Sequence, residues 1–311
     1  MNQDSAKNKL RQVSSDLPPE VEKIFPGLAG EYVTRLIRLA LDEDGVDLTA
    51  QGVFSTEDQA EAVLVAKQDS LVAGLPLISL IFQQMGIKNP CVHWRAEVIE
   101  GAFVANGQIL ASFFIDTITL LKAERVILNT INHLSGVANL TKQYVDQLVG
   151  TEVRLLYTRK TLPGMRYPEK YAVRIGGGFN HRMDLAQMLM LKDNHIDACG
   201  SLIAAVTTLR SKYSPCPQLE IECRTIDEVK EATACYPDRI LLDNMSYAML
   251  NEVLPLIPRN IEAEISGGVT LENIRGYALS CRSRPADFIS VGRLTHSAPV
   301  ADFSIRIQSI R

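Results

Sequence analysis

Six short apolar runs in the second half of the chain constrain its fold most. They are Val153–Tyr157, Met188–Leu191, Leu219–Cys223, Arg239–Leu242, Ile261–Ile265 and Phe288–Val291, and helical stretches separate them. Alternation of this kind predicts βα units and a parallel sheet, because parallel strands need a crossover between them. Each run ends in polar or glycine residues. Thr158-Arg159-Lys160 follow the first, Lys192-Asp193-Asn194-His195 the second, and Arg224 comes after Glu222 in the third. Asp243-Asn244, Ser266-Gly267-Gly268 and Gly292-Arg293 follow the others. The C-terminal strand ends of a parallel barrel build its active site, so these clusters mark the site. Six runs are fewer than the eight of a closed barrel, which predicts an open or incomplete one.

The segment from Tyr157 to Ile196 concentrates the cations. Arg159, Lys160, His181, Arg182 and Lys192 lie there with Gly176-Gly177-Gly178 and no comparable acidic block. Arginine grips a planar carboxylate or phosphate with two parallel hydrogen bonds, whereas lysine acts as a point charge. Several of each suit a substrate with more than one anionic group. The ordinary alternative, salt-bridged surface helices, fits less well, because Arg159 and Lys192 sit just past buried-type strands. Net charge is −4, which excludes whole-molecule attraction to nucleic acid or an anionic membrane; the basic site is local.

Glu222 and Asp243 end successive strands. Paired there, they suit Mg²⁺ or ribose hydroxyls, or equally a structural ion pair with a neighbouring cation. Glu220, two residues earlier, is assigned to another face or layer. Ser266-Gly267-Gly268 and Gly292 resemble the phosphate cradle of barrels, built from backbone N–H groups after the last strands. His93, His133 and His296 stand alone in sequence and read as structural.

The first half reads differently. Residues 1–20 are expected to be a flexible arm, and their polar sequence is neither signal nor transit peptide. Helices are expected over Glu31–Leu41, Leu75–Met85 and Glu124–Leu148, the last bent or broken at Ser135-Gly136. Strand-like runs occupy Ala62–Ala66, Cys91–Trp94 and Ile109–Phe113. This half is expected to be an α/β sandwich over residues 21–122, joined by the tail 295–311, with the barrel over 123–294. Six scattered cysteines without a CxxC pair fit a reduced cytoplasmic protein. No apolar run approaches the length needed to span a bilayer.

In order and spacing, the motifs resemble the quinolinate phosphoribosyltransferase (nicotinate-nucleotide pyrophosphorylase) family from about Arg38 to the C-terminus. The matching segments are Glu124-Arg125 with Asn129 and Leu134-Ser135-Gly136, Thr158-Arg159-Lys160-Thr161 with Pro163-Gly164, and Lys170-Tyr171-Ala172-Val173-Arg174 with the triple glycine. Asn180-His181-Arg182, Lys192-Asp193-Asn194-His195, Leu242-Asp243-Asn244, Ser266-Gly267-Gly268 and Leu294-Thr295-His296-Ser297 complete the set. The resemblance implies an N-terminal α/β sandwich, a C-terminal open parallel α/β barrel and a homodimer or higher oligomer with shared sites. It implies Mg²⁺-dependent transfer from phosphoribosyl pyrophosphate to quinolinate, giving nicotinate mononucleotide, pyrophosphate and CO₂. Carried over by motif, Arg125 would reach the neighbouring subunit's quinolinate. Arg159, His181 and Arg182 would hold the carboxylates, with Thr158 also at the substrate. Lys160 and Lys192 would lie between quinolinate and pyrophosphate, Glu222 and Asp243 would hold ribose hydroxyls or Mg²⁺, and Ser266, Gly267, Gly268 and Gly292 would seat a phosphate. Three places depart from the family pattern: Tyr157 replaces the usual aspartate, Arg293 a commoner alanine, and Cys223-Arg224 is unusual after Glu222. A barrel pyrophosphorylase-like protein of the molybdenum-transport type is one alternative, but Arg125, His181 and Arg182 together favour a dicarboxylate. A catalytically silent binding protein is another, and it would be marked by a lost carboxylate or cation; none is lost.

Overall fold

A parallel six-stranded sheet carries the site. A computed structural model describes residues 17–311, and they form two compact units. The second unit takes 140–161 and 176–298. Its strands are β6 (Arg154–Leu156), β7 (Leu189–Leu191), β8 (Leu219–Cys223), β9 (Arg239–Asp243), β10 (Glu262–Ser266) and β11 (Phe288–Ser290), in the order β6-β11-β10-β9-β8-β7. All neighbouring pairs are parallel. All six expected runs are therefore strands, and β6 and β7 are the two edges of an open barrel.

Register explains why a charged site can sit on a sheet with an apolar core. Side chains alternate between faces along a strand. On one face lie Ile221, Ile240, Leu242, Ile265 and Ile289, each no more than 1% exposed. Burying each such side chain is worth about 1.5–3 kcal/mol. Helix α9 (Ile226–Ala234) packs against β8 and β9, opened by the Thr225 hydroxyl, which accepts from Glu228 N–H. The opposite face carries Glu220, Glu222, Arg239, Asp243, Glu264, Ser266 and Ser290. Glu220 and Glu222 are two apart on β8 and so share this face, which corrects the placement of Glu220 on another face or layer. Across β9, β10 and β11, Asp243 pairs with Ser266 and Ser266 with Ser290, so one register row aligns three polar residues at the strand ends.

The first unit takes the described residues up to Asn139, with Leu162–Ile175 and Pro299–Arg311. Its main sheet runs β12-β1-β5-β3, all antiparallel: β1 (Gln59–Ala66) pairs with the C-terminal strand β12 (Phe303–Ile310) and with β5 (Ile109–Asp116), and β5 with β3 (Trp94–Ala96). The buried helix α4 (Leu77–Gln84) belongs to this unit. Several local expectations change. Residues 1–16 of the expected arm lie outside the described residues, and Pro19 already opens helix α1 (Pro19–Ile24). Pro90–Val92 is a 3₁₀ turn, so β3 begins only at Trp94. The long helix α5 spans Thr117–Gln147, seven residues earlier than its periodicity predicted. The Asp116 carboxylate accepts from Thr119 N–H at 2.8 Å and sets that start. Ser135-Gly136 does not break it. The Ser135 hydroxyl accepts from Ala73 N–H at 2.9 Å, and a Cβ on Gly136 would collide with the Pro299 carbonyl oxygen. The two small residues permit close packing.

Candidate active site

Strand ends and the loops after them enclose a cavity of about 620 Å³ in the second unit. Thr158, Arg159 and Lys160 come from the loop after β6, and His181 and Arg182 from the segment before β7. Lys192 follows β7, Glu222 is on β8, Asp243 ends β9, and Ser266, Gly267 and Gly268 end β10. Every one of these expected residues lines it. A second cavity of about 190 Å³ shares Thr158, Lys160 and Ser266–Gly268, and adds Gly292, Arg293 and His296. Arg125 lies exposed on α5 and is not among the lining residues.

The cations are set by local contacts. Arg182 donates from Nη1 to the Met188 carbonyl at 2.9 Å; burial and the nearby Arg159 charge lower its pKa. Lys192 Nζ donates to Glu222 at 2.7 Å, so cation and carboxylate meet within the cavity. The His195 ring accepts from Lys192 N–H at 3.1 Å and begins helix α7 (Asp193–Cys199). Lys160 is braced from both sides: its N–H donates to the Thr158 hydroxyl at 3.1 Å, and its carbonyl accepts from the Thr295 hydroxyl at 2.7 Å. Gly292 packs close beside it, and a Cβ there would lie 2.8 Å from Lys160 Cδ and displace that side chain.

The glycine end is equally built. Gly267 and Gly268 have φ of +89° and +64°, where L side chains are strained. A Cβ on Gly267 would also strike the Asn244 side chain. Asn273 clamps the turn: its carbonyl oxygen accepts from Thr270 N–H at 2.7 Å and its amide donates to the Gly268 carbonyl at 2.9 Å. Asp243 accepts from the Asn244 amide at 2.8 Å. His296, read as structural from sequence, instead lines the second cavity with its Nδ1 2.7 Å from the Ser297 hydroxyl.

A buried charge cluster adjoins the cavity at His181. Its Nε2 makes ion-pair contacts with Glu220 at 3.0 Å and Glu264 at 3.4 Å, and the two carboxylates are 0% and 1% exposed. Arg239 Nη1 reaches Glu264 at 3.0 Å and Nη2 reaches Glu262 at 2.7 Å. Burial opposes a charge on His181, but Glu220 and Glu264 more than offset it and push the pKa up to about 9. One contact points the other way: Arg182 N–H lies 2.8 Å from Nδ1, where only a neutral ring can accept. A cationic ring gives up that one contact, while the two buried carboxylates at Nε2 act on its charge directly. Burial opposes ionisation of Glu264 too, yet His181 and Arg239 hold it below the usual carboxylate range. Burial, then the Glu264 charge, raise Glu220. His181, Glu220 and Glu264 offer donor atoms within 4.8 Å of one another. They fit Mg²⁺ poorly, since that ion prefers oxygen donors and Arg239 already pairs with Glu264. Glu222 and Asp243 fit it better, being oxygen donors at partly exposed strand ends.

Glu220, Glu264 and Arg239 were not singled out as site residues from sequence. The available signal was strand alternation, which puts every second residue of LEIEC, RILLD and EAEIS on the cavity face.

Comparison with known proteins fixes the family. The model of the quinolinate phosphoribosyl transferase C-terminal domain matches residues 137–306, and that of the N-terminal domain matches residues 47–135. The chain belongs to the quinolinate phosphoribosyltransferase family. It is 36% identical over 261 residues to a probable nicotinate-nucleotide pyrophosphorylase [carboxylating] of Bacillus subtilis, covering 84% of this chain and 88% of that one. It is 35% identical over 278 residues to the nicotinate-nucleotide pyrophosphorylase [carboxylating] of Mycobacterium leprae, covering 86% and 95%. The solved structure of NadC from Streptococcus pyogenes superposes with a TM-score of 0.81 at 32% identity, over 96% of this chain and 99% of that one. The family's two-part α/β architecture is therefore the one observed.

Proposed function

We propose that this chain transfers the phosphoribosyl group of phosphoribosyl pyrophosphate to the nitrogen of quinolinate, with loss of CO₂. The products are nicotinate mononucleotide and pyrophosphate, a step of NAD biosynthesis. One observation carries this reading: a single cavity combines Arg159, Lys160, Arg182 and Lys192 with the carboxylates Glu222 and Asp243 and with a glycine turn of positive φ. A dicarboxylate and a polyphosphate need the cations, and a sugar centre that becomes positive needs the carboxylates.

Arg159 and Arg182 orient the two pyridine carboxylates, which sets the ring nitrogen facing the ribose. The C1–pyrophosphate bond breaks as the nitrogen–C1 bond forms, and positive charge builds on the ribose ring. Glu222 and Asp243 stabilise that charge, while Lys160 and Lys192 stabilise the departing pyrophosphate. Ser266–Gly268 and Gly292 seat the 5′-phosphate. Glu222 and Asp243 would also hold Mg²⁺, which would supply further positive charge for the leaving group. When the carboxylate on the adjacent carbon departs as CO₂, its bonding pair stays on that carbon, where the positive charge of the pyridinium nitrogen stabilises it. A proton from solvent completes that carbon, so no dedicated acid is required.

No helix among the described residues is long and apolar enough to cross a membrane. All six cysteines are free thiols, which fits the reducing cytoplasm we assign.

Turnover tests the reading. Purified protein given carboxyl-labelled quinolinate, phosphoribosyl pyrophosphate and Mg²⁺ should release labelled CO₂ and pyrophosphate in equal amounts. Omission of either substrate or chelation of Mg²⁺ should stop it. Folded protein that releases neither product, or releases CO₂ without phosphoribosyl pyrophosphate, overturns it.

A further inference from the structure

The cluster around His181 performs none of the steps above, yet it buries two carboxylates and most of a guanidinium beside the substrate cavity. Burying charge is costly unless each member is compensated. Arg239 is shared between Glu264 and the half-exposed Glu262, so one guanidinium cannot offset both interior carboxylates, and any ionisation of Glu220 leaves a surplus of negative charge. The nearest group able to take a proton against that surplus is the His181 ring, whose side chain is 6% exposed. An imidazole is also a stronger base than a carboxylate by about two pH units. We propose that Glu264 and Glu220, backed by Arg239, are positioning residues that keep His181 cationic and make it a fixed charge in the wall that receives the pyridine carboxylates. The identity of that anion rests on the quinolinate reading; the state of the ring does not.

The groups facing His181 come from every side. Glu220 on β8 and Glu264 on β10 favour its charge and touch Nε2, with Arg239 on β9 behind them. Of the charged groups lining the same cavity, Arg159, Lys160, Arg182 and Lys192 oppose it, and Glu222 and Asp243 favour it. A bound dicarboxylate would offset the cations and strengthen the imidazolium. A histidine so held differs from a fourth arginine: its charge is set by residues that never touch the substrate, and its ring cannot swing away from two carboxylates.

The test begins on the full chain without ligand. Nitrogen-15 NMR of the imidazole rings should show one histidine, assigned by its loss in His181→Gln, that titrates near pH 9. In Glu264→Gln that titration should move down towards the ordinary value of about 6.5. At pH 8 the same variant should raise the quinolinate KM by roughly tenfold or more, the loss of one charge-assisted contact, with kcat much less affected. Added to His181→Gln, it should raise KM no further. Glu220→Gln serves the same comparison where Glu264→Gln fails to fold. Titration of native His181 in the ordinary range overturns the proposal. So does an unchanged quinolinate KM in a folded Glu264→Gln whose His181 has lost its charge. Absence of turnover by the native protein is a different result, since it strikes the quinolinate reading and leaves the NMR titration standing.

Discussion

At the residue scale, the predictions separate anion recognition from transfer. Arg159→Ala removes a guanidinium from the cavity and should weaken quinolinate binding by ~1.5–3 kcal/mol, the scale of a charged hydrogen bond; calorimetric titration measures it. Asp243→Asn keeps the shape of the strand end and the neighbouring Asn244. It should lower kcat while leaving quinolinate affinity near native, and wild-type turnover would make the carboxylate structural. Tyr157 is 0% exposed and lines neither cavity. Tyr157→Phe should therefore retain most activity, and a loss of several orders of magnitude would give its hydroxyl a role. The cationic set was legible in the sequence because cations are rare just past buried strands, where Arg159 and Lys192 stand out. The carboxylates Glu220 and Glu264 were not. They sit inside runs whose apolar neighbours, Ile221 and Ile265, define the strand, and only alternation reveals that they face inward. His181 brings a stability signature with it. Its pKa is raised by folding, so its contribution is full below the unfolded value of about 6.5 and is lost as pH rises through about 9. Chemical denaturation across that window should show the native protein weakening with rising pH, with a flatter profile for His181→Gln.

At the element scale, two glycines make opposite predictions from similar contacts. Gly136 lies in the middle of α5, where alanine normally gains about 1 kcal/mol. Here a Cβ would meet the Pro299 carbonyl, which is backbone and cannot swing aside. Gly136→Ala should cost ~1–3 kcal/mol as an overpacked contact, seen as a lower midpoint in denaturant. Gly292 has an ordinary φ of −70°, so no strain protects it. Its Cβ would press on Lys160 Cδ, the movable part of a long side chain. Gly292→Ala should thus leave stability nearly intact and lower turnover by displacing Lys160. Equal stability loss in both variants would contradict the distinction. The six barrel strands were legible because each is a short apolar run closed by polar residues. The start of α5 was not, since it depends on one cap, Asp116, rather than on periodicity. The 3₁₀ turn Pro90–Val92 displaced an expected strand because proline removes the N–H that a ladder needs.

At the scale of the whole molecule, the remaining question is whether one chain completes a site. The lining of the main cavity already includes four arginines and lysines, with His181 beside them. Arg125 belongs to the first unit and lies exposed on α5. The family resemblance places this arginine in a neighbouring subunit's site, and we propose a dimer on that basis. Activity would then require association, and dilution alone would not distinguish a shared site from a dimer needed only for stability. Mixing does. An Arg125→Ala subunit keeps an intact cavity and lacks the reaching arginine; a Lys192→Ala subunit keeps Arg125 and lacks the lysine that pairs with Glu222. Each homodimer should be nearly inactive, because every site carries one defect. In the mixed dimer, one site combines the intact cavity with the intact Arg125, and the other collects both defects. Co-refolding the two variants should restore activity towards half of the native value per mixed dimer. Subunit exchange is checked separately by isolating dimers that carry two different affinity tags. Tagged mixed dimers as inactive as both parents would show that Arg125 serves its own chain, and a monomer retaining full turnover at high dilution would remove the shared site altogether.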